Sequence, residues 1–105
     1  MIYIINSPVL TNFGSYEYKS STVDELKKIL LKNEFISAVG HDETATLLTR
    51  LLGVHIPYNR IVVHQEAGDI FIVIKPKARL EINKIYSETD IENIGYELGL
   101  LMKIT

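Results

Sequence analysis

Three histidines, His41, His55 and His64, are the side chains of this sequence best suited to moving a proton near neutral pH. His41 stands apart from the other two. It follows Phe35-Ile36-Ser37-Ala38-Val39-Gly40, a strand-like apolar run, and it precedes a helical pattern. A residue at such a junction faces the unpaired N–H groups and the positive end of the coming helix, a place that suits an anion such as a phosphate. Spacing alone fits two roles for His41: an acid–base group beside a bound phosphate, or a helix-entry residue bonded to the backbone. His55, beside Ile56-Pro57, reads as a packing residue, and His64 alternates with Val62 and Arg60 along an extended face. The chain has no His-x-x-x-His pair and no cysteine, so it lacks the ligand spacing of a zinc site.

Four cations could receive an anion. Arg60 opens an extended run after Pro57-Tyr58-Asn59, while Lys75, Lys77 and Arg79 alternate. A guanidinium fork matches phosphate oxygens, so Arg60 and Arg79 could be phosphate ligands. Lysines also guard exposed strand edges, and a solvated edge is the competing reading, above all for Lys75 and Lys77. Asn6-Ser7 directly follows the first apolar run. Amide and hydroxyl groups at the end of a strand can face a ligand crevice, or they can close a turn on their own backbone.

These groups need elements to position them. Ile2 to Ile5 reads as a buried strand ended by Asn6-Ser7-Pro8, and Tyr16 with Tyr18 as a short second strand. Thr22 followed by Glu25 has capping-box spacing, and Val23, Leu26, Ile29 and Leu30 form the apolar stripe of a first helix ending near Asn33. Asp42 to Leu52 is a second helix, stopped by Gly53. Arg60 to Gln65 and Asp69 to Lys75 flank Glu66-Ala67-Gly68, the pattern of a hairpin. Ser87 with Asp90 caps a short helix over about Glu88 to Ile94, and Tyr96 to Ile104 is a final strand. The alternation predicts an α/β (α+β) single domain over residues 1–105, a mixed sheet with its two main helices on one face. The other face then needs cover, for which a partner subunit is a natural source.

Composition bounds the function. The chain is 105 residues long, 47% hydrophobic and 23% charged, a globular balance sufficient for one core. No apolar run reaches the ~18 residues that span a bilayer, the apolar start lacks the marks of a signal peptide, and cysteine is absent; the expectation is a cytoplasmic protein with no membrane partner. A net charge of −2 argues against duplex DNA held by bulk charge.

Several segments in order resemble one family: Met1-Ile2-Tyr3-Ile4-Ile5-Asn6-Ser7, Phe35 to His41, Leu51-Leu52-Gly53-Val54, Pro57-Tyr58-Asn59-Arg60, and Ile94-Gly95-Tyr96-Glu97-Leu98. These look like small proteins of archaeal viruses, bacteriophages and integrative elements, some of which are viral ring nucleases with anti-CRISPR action. The resemblance spans nearly the whole chain. It implies a homodimer that encloses cyclic tetra-adenylate, the second messenger of type III CRISPR systems, in the cytoplasm of a host cell. It implies metal-independent and cofactor-free cleavage to linear di-adenylates, with the ribose 2′-OH attacking the adjacent phosphorus and a histidine protonating the 5′-oxygen. By motif, His41 matches that histidine, Gly40 precedes it, Asn6 matches the asparagine after the first strand, and Arg60 and Arg79 match two phosphate-holding arginines. The family serine a few residues after the asparagine has Val9 at its spacing here, flanked by Ser7 and Thr11. The family pattern after the second arginine is Leu-Pro-Glu-Gly or Leu-Glu-Glu-Gly, whereas this chain has Leu80-Glu81-Ile82-Asn83. Ile82 holds the place of the functional glutamate, and Glu81 replaces it only with a shift in register. The rival functions are therefore a protein that sequesters the cyclic nucleotide without much cleavage, which Ile82 favours, and a non-enzymatic, structural or DNA-associated accessory protein of a mobile element.

Overall fold

The computed structural model describes residues 1–77 and 86–105. The elements run β1 (Ile2–Ile5), β2 (Tyr16–Ser20), α1 (Val23–Lys32), β3 (Ile36–Ser37), α2 (Asp42–Leu52), β4 (Ile70–Pro76), α3 (Glu88–Ile94) and β5 (Tyr96–Lys103). The strands form one mixed sheet in the order β2-β5-β4-β1-β3. β1 lies parallel to both β3 and β4, and β5 runs antiparallel to β4 and β2. The C-terminal ends of β1, β3 and β4 consequently open on the same edge of the sheet, the edge at which sheets of this kind receive ligands.

Alternation decides what each sheet face carries. Ile4, Ile72 and Ile74 are fully buried on one face, beneath Leu26 and Leu30 of α1 and Leu48 and Leu52 of α2. The two main helices thus share a face, as the pattern predicts. Their ends follow the local signals. The Thr22 hydroxyl accepts the Glu25 N–H at 3.2 Å, and the Asn33 side chain donates to the Ile29 carbonyl at 2.9 Å. Gly53 takes a left-handed φ of 67° and donates to the Thr49 carbonyl. Ser87 and Asp90 form a reciprocal capping box, with bonds of 2.9 and 3.1 Å.

Two expectations are corrected. Residues 60–65 form no strand, and the hairpin does not exist. β4 pairs with β1 on one side and β5 on the other, so neither of its hydrogen-bonding edges is left for the preceding segment. Residues 60–65 instead lie over the second sheet face. That face holds Phe71 and Val73 at 0% exposure, with Val63, Tyr3 and Tyr16 packed beside them, so the chain itself covers the centre of this face. Tyr3 and Phe71, in register on β1 and β4, stack with centroids 5.4 Å apart.

At the far edge, Tyr18 of β2 lies against Gly99 of β5, where a Cβ would collide with its ring. Its hydroxyl donates to Glu97 at 2.7 Å. Desolvation, that hydrogen bond and the charge of Glu97 push the phenol from 10.0 up to about 12. The folded state therefore favours the protonated phenol. Its contribution is fully present below the unfolded value and disappears as pH rises from about 10 to about 12. Across that window wild type should lose stability relative to Tyr18→Phe, as read by melting temperature against pH; parallel curves would refute the coupling. In the core, Ile72→Ala should cost about 2–5 kcal/mol in urea unfolding, because both helices close over that site; a cost below about 1 kcal/mol would place the core elsewhere.

Candidate functional site

β1 and β3 both lead into polar segments at the shared edge. β1 ends at Ile5, and the half-buried Asn6 and Ser7 bend away from the sheet. The Ser7 carbonyl accepts the Val9 N–H at 2.9 Å. Beyond β3 the pairing continues for one more residue, because Ala38 N–H donates to the Ile4 carbonyl at 2.9 Å. Val39 is then buried, and Gly40-His41 lead into α2.

The loop that precedes α2 is clamped from outside. Ser37, 3% exposed, donates its hydroxyl to the Pro57 carbonyl at 2.7 Å and accepts the Val39 N–H at 3.3 Å. Asn59 donates its side-chain amide to the Ser37 carbonyl at 2.7 Å and its backbone N–H to the Val39 carbonyl at 2.9 Å. These bonds bring Arg60 onto Gly40, where a Cβ would sit 3.3 Å from Arg60 Cγ. Glycine at 40 thus lets the arginine stem pass close to the residue before His41. In this way the structure brings Arg60 onto Gly40, the residue that precedes His41.

His41 is the N-cap of α2, with extended backbone at φ −132°, and its carbonyl accepts the Ala45 N–H at 3.0 Å. Its side chain is exposed and makes no capping hydrogen bond. The helix-entry role open to it therefore belongs to its backbone, and the imidazole is not tied up in the cap. The first turn of α2 carries Asp42 and Glu43, which already complement the positive helix end. The cation whose stem packs beside this helix entry is Arg60.

Next to this cluster lies an open cavity of about 230 Å³. Asn6, Ser7, Thr11 and Gln65 are among its polar lining residues, and Val63 and Phe71 are among its apolar ones. Ala38 and Ile61, close in sequence to Gly40 and Arg60, also line it. Three of the residues singled out by sequence, Asn6, Ser7 and Thr11, thus share one cavity.

Other expectations fare differently. His55 is exposed rather than packed, since it is the neighbouring Ile56 that turns inward. His64 is exposed as well. Arg60 opens no strand, because β1 and β5 occupy both edges of β4. Arg79 and Glu81 lie outside the described residues, as do Leu80, Ile82 and Asn83. Among the described residues no three His, Asp or Glu side chains gather as metal ligands. No helix among them is long and apolar enough to cross a membrane.

Two residues escaped the sequence reading. Asn59 is one, since its side chain acts on a carbonyl 22 residues away. Gln65 is the other. It stands in the sequence as one more polar residue before a turn, yet it is 2% exposed. Its role becomes visible only when residues 9–12 reach it in space.

The family described as STIV B116-like matches residues 2–98. Protein 26 of Sulfolobus islandicus filamentous virus is 40% identical over 110 residues, covering 100% of this chain and 93% of its own length. YddF of Bacillus subtilis is 30% identical over 105 residues, covering 98% of this chain and 97% of its own. The solved structure of B116 of Sulfolobus turreted icosahedral virus superposes with a TM-score of 0.81 at 23% identity, covering 96% of this chain and 97% of that one. That likeness establishes a shared fold. Within the present structure, Asn59→Ala should destabilise by about 1–2 kcal/mol, because it strips the Ser37 carbonyl of a donor in a part-buried place. Chemical unfolding measures this, and an unchanged midpoint would show that the clamp carries no weight.

Proposed function

The chain belongs to the STIV B116-like family, and we propose that it is a metal-independent ring nuclease acting on cyclic tetra-adenylate as a homodimer. The observation that carries this reading is the packing of Arg60 on Gly40, the residue before His41, with a cavity nearby that is lined by Asn6, Ser7 and Thr11; Asn6 and Gly40 follow the C-terminal ends of β1 and β3. A cationic fork, an uncapped imidazole and neutral hydrogen-bonding groups together suit a phosphodiester flanked by ribose and base.

In the proposed reaction the 2′-oxygen bonds to the adjacent phosphorus as the P–O5′ bond breaks. The 2′-hydroxyl proton passes to water, and protonated His41 gives its proton to the departing 5′-oxygen. Each cut leaves a 2′,3′-cyclic phosphate and a 5′-hydroxyl, and two cuts yield linear di-adenylates. Arg60 and Arg79 hold the charge that develops on the phosphoryl oxygens. A second copy supplies the same groups to the other half of a two-fold ligand. Exposed Val9, Leu10, Ile61 and Val62, at 43–81% exposure, give such a pairing apolar surface next to the cavity. The proposed setting is the cytoplasm of a host cell, with neither membrane nor duplex DNA as partner.

Ile82 favours a second reading, in which the site binds the cyclic nucleotide and cuts it slowly, since an isoleucine cannot do the work of a carboxylate. Single-turnover incubation with labelled cyclic tetra-adenylate and a chelator separates the two. Linear di-adenylates are the expected products, and His41→Ala should reduce their rate at least about 100-fold, the usual scale of a lost general acid. Intact ligand in a stable complex would give the sequestering reading, and wild-type turnover in His41→Ala would remove the histidine from the mechanism.

A further inference from the structure

The segment 60–65, barred from β4, borders the cavity without a strand partner of its own. It meets residues 9–12, which are equally irregular. Two such segments have no ladder to fix their spacing. Gln65 supplies the bonds instead. Its Nε2 donates to the Val9 carbonyl at 2.8 Å, and its Oε1 accepts the Thr11 N–H at 2.9 Å. A carbonyl at one residue and an N–H two residues later are the pair that a neighbouring β-strand would engage. One carboxamide, with a donor and an acceptor on the same plane, takes the place of that strand. Around it, the single Tyr16 hydroxyl proton is shared between the Asn12 carbonyl at 2.7 Å and Gln65 Oε1 at 3.2 Å. Asn12 donates to the Gln65 carbonyl at 2.6 Å.

The backbone of Gln65 acts on the same loop. Its N–H donates to Thr11 Oγ1 at 2.9 Å. One lone pair of the Thr11 oxygen is thereby engaged, and its proton, with the second lone pair, is left to offer to a ligand. Thr11, Val9 and Gln65 all line the cavity with Asn6 and Ser7.

We infer that Gln65 is a positioning residue for the candidate site: it presets residues 9–12 as one cavity wall and presents Thr11 there as a hydrogen-bond donor to an acceptor atom of the nucleotide. This rests on the ligand reading of the cavity given above. Gln65 touches no reacting atom in this scheme, so its loss should weaken binding and spare the chemical step.

The test combines two readouts on the full-length protein. The first needs no ligand. In Gln65→Met, which keeps side-chain length without the amide, exchange of the Thr11 amide proton measured by NMR should accelerate at least about tenfold, the loss expected for a removed hydrogen bond. The second is steady-state cleavage of cyclic tetra-adenylate, where KM should rise roughly tenfold with kcat within about twofold. Thr11→Val should raise KM similarly, and the double variant should add little, because the two residues act in series. Tyr16→Phe, a milder change, should shift both readouts in the same direction and serves if Gln65→Met does not fold. Unaltered Thr11 exchange, or fully additive effects on KM, would overturn the inference. If wild type neither binds nor cuts the cyclic nucleotide, the functional reading falls, and the exchange measurement alone decides whether Gln65 sets the loop.

Discussion

A strand has two hydrogen-bonding edges, and on β4 both are occupied, by β1 in parallel and by β5 in the opposite sense. Much of the molecule depends on that double occupancy. It places β1 and β4 side by side, so that Ile4, Ile72 and Ile74 present one continuous apolar surface to α1 and α2. It also aligns the carboxyl ends of β1, β3 and β4 on a single edge. Finally, it forces residues 60–65 off the sheet edge and over the sheet face, where Val63 joins Phe71 and Val73.

The site is the product of this displacement. A hairpin partner to β4 would have carried Arg60 along the sheet with its side chain set by strand alternation. Instead, Asn59 and Ser37 tether the segment to the end of β3, and the arginine stem crosses Gly40. Local rules alone would leave such a segment unsupported. Polar side chains, each tied to backbone groups far away in sequence, do the work that ladders do elsewhere in the fold. Asn59 fastens the chain beside His41, and Gln65 fastens it beside Thr11.

What was legible in the sequence follows the range of the interaction involved. Thr22, Gly53 and the Ser87–Asp90 box act within four residues and were readable from spacing. The apolar stripes of α1 and α2 and the alternation in β1 and β4 were readable because periodicity reports burial directly. The strand reading of 60–65 failed for a reason outside that segment: whether an extended run joins a sheet depends on whether an edge is open to it. Gln65 was illegible on the same grounds, since its partners lie more than 45 residues away. Among site residues, Asn6, Gly40 and His41 could be singled out because they sit where elements end, a position the sequence does report. That Asn6, Ser7 and Thr11 share a cavity required the fold.

The pairing of β2 has a consequence for how the protein is made. Among the described residues its only strand partner is β5, joined from Tyr16–Lys103 to Ser20–Gly99, and the turn before it is held by the Lys103 ammonium on the Phe13 carbonyl at 2.6 Å. On a ribosome, residues 13–20 emerge early and wait for the last strand before they can dock. β1 likewise has no strand neighbour until β3 and β4 have been synthesised. The loop between β1 and β2, which walls the cavity, is therefore suspended between two strands that both await later chain, and Gln65 itself lies in that later chain. Vectorial synthesis thus leaves the cavity wall unfinished until β5 has been made, long after α1 and α2 have emerged.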